Sequence, residues 1–313
     1  MSEKLLITSA SAKIPLIFAV EKMLQGHNIE IMLADVNPNC LSSNFGFKFW
    51  KMPYLSELRP EFLRDFCLEN KIKYILPTRD GELDYFAQHK EFLAKSKIFT
   101  MVSNKNTIEI CNDKFLYYKT LSAQGFRAIP TSLDINEIKS EKFVVKERFG
   151  AGSRNAGINL DKKEAIEHSK TLQEPIFQPF IKGEEFSIDA YSNKFGKNFG
   201  IIVRKRITII DGEAHVSEVC TDFENTLEFK NLINFLNLNG HSVTQFIKDK
   251  EGICHILETN PRVGGASTLA FEAGLKSIEM FIDECNLRPI EELKTPKKLK
   301  LIRAPKDNYD LCV

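Results

Sequence analysis

Ile256-Leu257-Glu258-Thr259-Asn260-Pro261-Arg262 is the stretch on which the reading of this chain turns. Successive side chains of a β-strand point to opposite faces, so Glu258 and Asn260 share one face, two residues apart. Two oxygen donors at that spacing can grip a hard cation such as Mg²⁺. Pro261 fixes the turn, and the Arg262 guanidinium beyond it is within reach of a phosphate held by the metal. Gln245, on the expected partner strand, adds a third oxygen from the opposite position. Taken alone, the same residues also fit a strand end with polar surface side chains.

The segments upstream supply a sheet for this strand. Residues 242–247 and 253–260 form a hairpin across 248–252, and residues 201–210 and 214–219 form another across Asp211-Gly212. A strand over 185–191 and a helix over 227–236 complete an antiparallel unit. On its second strand Arg204 and Arg206 share a face, either as a substrate or phosphate clamp or as a solvated basic pair. In the segment 178–189, Glu185, Ser187 and Asp189 face away from Phe186 and Ile188. A carboxylate there can accept from ribose hydroxyls, and free backbone groups at Phe180 and Ile181 can read an adenine edge. An amphipathic strand with a polar outer face explains the same pattern.

Further upstream, Asn112 is placed to cap a helix that runs to about Gln124 and stops at Gly125. The strand 143–148 carries Lys146 and leads into Gly-Ala-Gly-Ser-Arg-Asn-Ala-Gly, residues 150–157. Small residues and glycines let backbone N–H groups curl round an anion, and a lysine before them adds a point charge. No Gly-Lys-Ser/Thr ends the loop, so it is not a Walker A sequence, and an ordinary hairpin is the competing reading. A helix over 161–172 and a strand over 176–181 close a small α+β unit.

The first hundred residues alternate strand and helix: strands at 5–8, 29–33, 74–77 and 98–102, helices at 14–25, 60–70 and 82–95. This order predicts a small parallel sheet with helices on its faces. The loop at 8–13 contains no glycine, which excludes the dinucleotide-binding fingerprint. Residues 77–82 (Pro-Thr-Arg-Asp-Gly-Glu) sit at a strand end, where ligands bind parallel sheets. Asp80 and Glu82 also suit the first turn of a helix.

Composition narrows the rest. The 313 residues hold 43 Lys and Arg against 42 Asp and Glu, a net charge of +1, so no overall field points to nucleic acid or an anionic membrane. No stretch approaches the roughly 20 apolar residues of a membrane span. Seven scattered cysteines without a Cys-x-x-Cys pair argue against a disulfide framework and a structural zinc site. A reducing, cytoplasmic setting is expected. The six histidines show no metal-binding spacing and read as structural.

In this order the pieces resemble the ATP-grasp superfamily, in the branch of the carbamoyl phosphate synthetase large subunit and small stand-alone carboxylate–amine ligases. Ile181-Lys182-Gly183-Glu184-Glu185-Phe186 and the small residues Val263-Gly264-Gly265-Ala266-Ser267 after Arg262 belong to the same resemblance. It implies mixed α/β and α+β architecture: an N-terminal βαβ domain (1–103), an ATP-grasp domain (104–290) with a lid at about 126–181 and a C-terminal sheet at about 182–290, and a tail (291–313) read as a surface strap. It implies ATP and Mg²⁺, or Mn²⁺, as cofactors. Lys114 and Lys146 correspond to the nucleotide lysines, and Gly150, Gly152 and Ser153 to the phosphate flap. Gln178, Phe180 and Ile181 correspond to the adenine hinge, and Glu185 to the ribose carboxylate. Gln245, Glu258 and Asn260 correspond to the metal ligands, and Arg262, Lys146, Arg206 and Arg204 to the catalytic cations. Gln178 stands where the family more often has glutamate. The activity implied is activation of a carboxylate as an acyl phosphate and its transfer to an amine. An ATP-grasp kinase and a non-catalytic nucleotide-binding module are the competing readings. Small-molecule carboxylate and amine partners are expected, without nucleic acid or membrane, and a homodimer is compatible with this.

Overall fold

The structure is a computed structural model that describes residues 2–150 and 155–308. It opens with β1 (Glu3–Ile7), α1 (Ile14–Met23), β2 (Ile29–Asp35), β3 (Lys48–Lys51), α2 (Pro60–Asn70), β4 (Ile72–Leu76), α3 (Asp80–Ala94) and β5 (Phe99–Thr100). The five strands are parallel, in the order β3-β2-β1-β4-β5. A parallel sheet is covered on both faces, and β1 shows it: Leu5 and Ile7 enter one core with α1, while Leu6 enters another with α2 and α3. The order reverses at β1 and β4. Their C-terminal loops therefore lie side by side, joined where Thr78 Oγ1 donates to the Thr8 carbonyl at 2.8 Å and Ser9 Oγ to Glu82 at 2.9 Å. Such a switch point is where ligands approach a parallel sheet.

Two short helices follow, α4 (Lys105–Asn112) and α5 (Lys114–Ala123). The sequence places the helix cap at Asn112. Asn112 instead ends α4, and Asp113 caps α5 by accepting from the Phe115 and Leu116 amides. The shift by one residue has a cause in the fold, because Asp113 also holds Arg148 from the lid in a bidentate pair, at 2.8 and 2.6 Å.

The lid contains β6 (Phe143–Glu147), β7 (Gly157–Leu160), α6 (Lys162–Ser169) and β8 (Pro175–Pro179), with strand order β7-β6-β8. It has its own small core around Phe143, Val145, Ala165 and Phe177. It joins the larger sheet through backbone bonds from the Ile129 N–H to the Ile256 carbonyl and from the Ile256 N–H to the Arg127 carbonyl, and through Gly183. A Cβ at Gly183 would stand 2.4 Å from the Lys248 carbonyl oxygen, so no side chain fits at this crossing.

The remaining elements are β9 (Gly183–Ser192), β10 (Asn198–Ile210), β11 (Glu213–Cys220), α7 (Thr226–Phe235), β12 (Gly240–Asp249), β13 (Cys254–Asn260), α8 (Ser267–Glu272), α9 (Ser277–Cys285) and β14 (Lys300–Ile302). Six strands pair in the order β13-β12-β9-β10-β11-β14, all antiparallel. Asp211 and Gly212 both have positive φ, 50° and 75°, as a two-residue hairpin turn between β10 and β11 requires. Phe186, Ile188, Phe246 and Ile256 pack with α5 and α7 on one face. The other face carries Ser187, Asp189, Arg204, Arg206, Gln245 and Glu258. The tail read as a surface strap carries β14, which pairs with the edge of β11.

Candidate active site

A cavity of about 620 Å³ lies between the lid and the six-stranded sheet. Strand alternation explains its chemistry. On β6, Phe143 and Val145 enter the lid core, so Val144 and Lys146 face the cavity. Ile129, Phe149, Ile158, Phe180, Ile247 and Leu257 make the rest of its wall largely apolar. This is the size and lining of a pocket for a small organic ligand.

Three cations frame its polar end. Lys146 is 8% exposed; burial lowers its pKa to about 8, with Glu258 opposing the shift and Lys114 adding to it. Burial also lowers the Lys114 pKa, and its ammonium donates to the Gly150 carbonyl at 2.7 Å. The Asp113–Arg148 pair fixes Lys114, the first residue of α5, against the end of β6. Arg206 donates to Glu185 at 2.9 Å, to the Gln245 side-chain oxygen at 2.6 Å and to the Gly212 carbonyl at 2.7 Å.

The hinge between lid and sheet departs from expectation at one atom. The Phe180 N–H is not free for a ligand, because it donates to the Lys142 carbonyl at 2.8 Å. The Gln178 amide donates to Thr131 at 2.8 Å. Glu185 lines the cavity at the start of β9 while paired with Arg206. Gly152, Ser153 and Arg154 lie outside the described residues.

The motif that opened the reading has the expected geometry. Gln245 stands opposite Glu258 in the β12–β13 register. The Gln245 and Asn260 amides donate to the same Glu258 oxygen, at 3.1 and 3.2 Å. Thr259, on the opposite face, is anchored by Tyr117 at 2.7 Å and Thr244 at 2.9 Å. Three oxygen-bearing side chains thus converge; rotation of the Asn260 amide presents its oxygen where its N–H now points, while the Gln245 oxygen is held by Arg206. Among the described residues no group of three His, Cys, Asp or Glu is gathered for a metal. One carboxylate with two amides fits Mg²⁺, which completes its shell with phosphate oxygens and water.

A second, smaller pocket of about 140 Å³ adjoins this triad and shares Arg206, Gly212, Gln245 and Glu258 with the large cavity. Its walls include Arg204, Arg262, Asn260, Glu213 and, from the loop after β1, Lys13. Arg262 makes a bidentate ion pair with Asp80, its Nε at 2.8 Å from Oδ1 and its Nη2 on Oδ2. Arg204 is buried at 2% exposure with its Nε 2.5 Å from Asp189. Asp189 also accepts from Ser267 and lies 3.1 Å from His241 Nε2, while His241 Nδ1 lies 2.8 Å from Ser277. Burial alone would raise the Asp189 carboxyl, but the Arg204 charge and the His241 contact hold it well below the usual carboxylate range. Arg204 is therefore not a solvated strand residue, and His241 is structural support behind the pocket wall.

Sequence reasoning passed over Lys13, Glu213, Arg303 and Asp113–Arg148 as parts of this region, and quoted Asp80 without a partner. Asp80 had a signal, its place at the end of a parallel strand. The others had none, since nothing in local periodicity marks them.

A mixed parallel and antiparallel architecture with a lid over such a site is the ATP-grasp fold. Residues 111–266 match the ATP-grasp domain model, and residues 5–101 match the PylC-like N-terminal domain. The chain belongs to the ATP-grasp superfamily. It is 21% identical over 281 residues to the carbamoyl phosphate synthase large chain of Lachnoclostridium phytofermentans, covering 80% of this chain but only 26% of that protein. It thus spans about a quarter of the length of that curated relative. Among solved structures, the biotin carboxylase domain of Hydrogenobacter thermophilus 2-oxoglutarate carboxylase, in complex with MgADP, ADP and bicarbonate, superposes with a TM-score of 0.72 at 14% identity, covering 95% of this chain and 72% of that one. An L-amino acid ligase from Bacillus licheniformis gives 0.71 at 18% identity, covering 93% and 75%.

Proposed function

We propose that this chain is an ATP-dependent ligase that activates a carboxylate as an acyl phosphate and couples it to an amine, yielding an amide, ADP and phosphate. The observation that carries the reading is the meeting of two pockets at Arg206, Gln245 and Glu258. A nucleotide in the large cavity would direct its terminal phosphate at this junction, against a small anion in the polar pocket. In this reading Lys114 and Lys146 bind phosphate, with Gly150 beside Lys114. The Phe180–Ile181 backbone and Gln178 border the adenine, and Glu185 is in reach of the ribose. Gln245, Glu258 and Asn260 would hold Mg²⁺, or Mn²⁺, which when bound offsets phosphate charge during transfer.

The chain's own groups do the rest. A carboxylate is ionised at pH 7, so its attack needs no general base. The bond between the γ-phosphorus and the ADP oxygen breaks as a carboxylate–phosphorus bond forms. Lys146, Arg206 and Arg262 stabilise the transferring oxygens by fixed positive charge. Arg204, paired with Asp189, forms part of the wall of the substrate pocket. The amine then attacks the acyl carbon, phosphate departs with the C–O electron pair, and the amine's proton passes to solvent. Closure of the lid keeps water from the acyl phosphate.

The test is a screen of carboxylates and amines for substrate-dependent ADP release, with mass spectrometry of the product. An amide formed in step with ADP is expected. A phosphorylated product without amide formation would overturn the ligase reading in favour of a kinase. Glu258→Gln should lower the rate by about 10³-fold or more with the fold intact; near-normal turnover would remove Glu258 from the metal site.

A further inference from the structure

One side chain in the wall of the large cavity is held in a fixed direction by a residue behind it. On β8, Phe177 enters the lid core, so strand alternation turns Gln178 to the cavity, which it lines. A carboxamide has two ends of nearly equal shape, one that donates and one that accepts. The end that faces the cavity decides which ligands suit it, and only the surrounding hydrogen bonds choose that end.

Thr131 makes the choice. Its hydroxyl lies 2.9 Å from the Ile129 carbonyl oxygen and 2.8 Å from the Gln178 side-chain amide. A carbonyl only accepts, so the one hydroxyl proton goes to Ile129. The Thr131 oxygen is then an acceptor toward Gln178, which draws the NH₂ end to Thr131 and turns Oε1 away from it. With the amide inverted, two oxygens would compete for a single proton. The chain of bonds is anchored on both sides. The Ile129 N–H donates to Ile256 on β13 at 2.9 Å. Ser132 and Phe177 exchange two backbone bonds, at 3.0 and 2.8 Å, which fix Thr131 beside Gln178. Thr131 itself is buried and is not part of the cavity lining.

Gln178 Oε1 accepts from no N–H or O–H among the described residues, and it is not sealed off from the cavity. The Phe180 N–H, two residues on, is spent on the Lys142 carbonyl. Ile129, Val144 and Phe180 make the wall around Gln178 apolar, so a mismatched polar contact there is costly.

Building on the ligase reading, we propose that Thr131 is a positioning residue for nucleobase selection. By fixing the Gln178 amide with its oxygen to the cavity, it selects a purine with an amino group at position 6 and rejects one with an oxygen there. Adenine offers an N–H to Oε1. Hypoxanthine and guanine set a second acceptor against it, and inverting the amide to suit them breaks the bond to Thr131.

The experiment titrates the full chain calorimetrically with the magnesium complexes of ADP, IDP and GDP, which need no second substrate. IDP differs from ADP in the 6-substituent and the proton that follows on N1. ADP should bind at least about tenfold more tightly than IDP or GDP. Thr131→Val removes the hydroxyl at nearly equal volume and frees the amide to turn. It should bring the ADP to IDP ratio close to one, with IDP binding more tightly than in the unaltered chain. Thr131→Ser should keep the ratio. Gln178→Met should abolish it and Gln178→Glu, whose two ends both accept, should retain it; this second pair reads the proposal if Thr131→Val does not fold. An unchanged ratio in Thr131→Val, or an equal weakening of all three nucleotides, would overturn the proposal and leave the ligase reading standing. So would an unaltered chain that binds the three alike. Binding of none of them would overturn both readings.

Discussion

Lys146 is a buried cation whose pKa is lowered to about 8, chiefly by loss of water and further by Lys114. A bound phosphate favours the ammonium, so nucleotide binding should draw a proton onto Lys146 when the free protein has lost it. The sign follows directly. Below about pH 8 the lysine is already charged and affinity is at its full value; above it, affinity falls by up to about tenfold per pH unit. Titration of a non-hydrolysable ATP analogue from pH 7 to 9.5, in buffers of different ionisation enthalpy, reads both the slope and the proton uptake. Lys146→Met should abolish the slope, and a flat profile in the unaltered chain would separate Lys146 from the phosphates. Arg206 is a different case, held by three acceptors and lining both pockets. Arg206→Ala should lower kcat/KM by about 10- to 100-fold with little change in nucleotide affinity. Arg206→Lys should restore only part, since an ammonium cannot reproduce a planar fork. A parallel loss of ATP binding would assign Arg206 to the nucleotide phosphates instead.

The helix α5 shows how one residue ties local structure to the site. Asp113 caps the helix through two amides and also pairs with Arg148 at the end of β6, so Lys114 is held between lid and sheet. Asp113→Ala should cost about 1–2 kcal/mol for the cap, read as a lower midpoint in urea unfolding, together with weaker ATP-analogue binding. Asp113→Asn keeps a cap but weakens the ion pair. It should spare much of the stability while still weakening binding. Loss of stability without loss of binding, in either variant, would reduce Asp113 to a cap alone. The sequence points to a cap here but at Asn112, because Asn and Asp are nearly equal as caps. The choice fell to Asp113 because a partner 35 residues away needs a carboxylate. The strands were more legible: two-residue alternation marked the faces of β9, β10 and β13, and Asp211-Gly212 marked the hairpin turn. The short β3, β7 and β14 carry no such run, and form because neighbouring edges offer ladder partners.

Across the whole molecule, the Asp80–Arg262 pair joins the start of α3 to the motif after β13, 182 residues apart in sequence. It holds the arginine of the proposed reacting centre from the N-terminal sheet, on top of the apolar core that β1, α1, α8 and α9 share. Asp80→Asn should therefore lower kcat by about tenfold or more while leaving ATP affinity unchanged, because Arg262 loses the charge that orients it. Steady-state kinetics beside analogue binding would check this, and an unchanged kcat would make the pair purely structural. The sequence by itself determined the order of the units, the face that carries Glu258 and Asn260, and the opposition of Gln245. These follow from the period of a strand and the geometry of a hairpin, which are local. Tertiary structure alone decided that Arg204 is buried on Asp189. It alone brought Lys13 to the outer wall, neutralised Glu213 with Arg303 and gave Arg262 to Asp80. Lys13 and the Asp80–Arg262 pair depend on the packing of two sheets, Arg204–Asp189 and Glu213–Arg303 on the pairing of strands within one, and none of these contacts leaves a periodic trace in the chain.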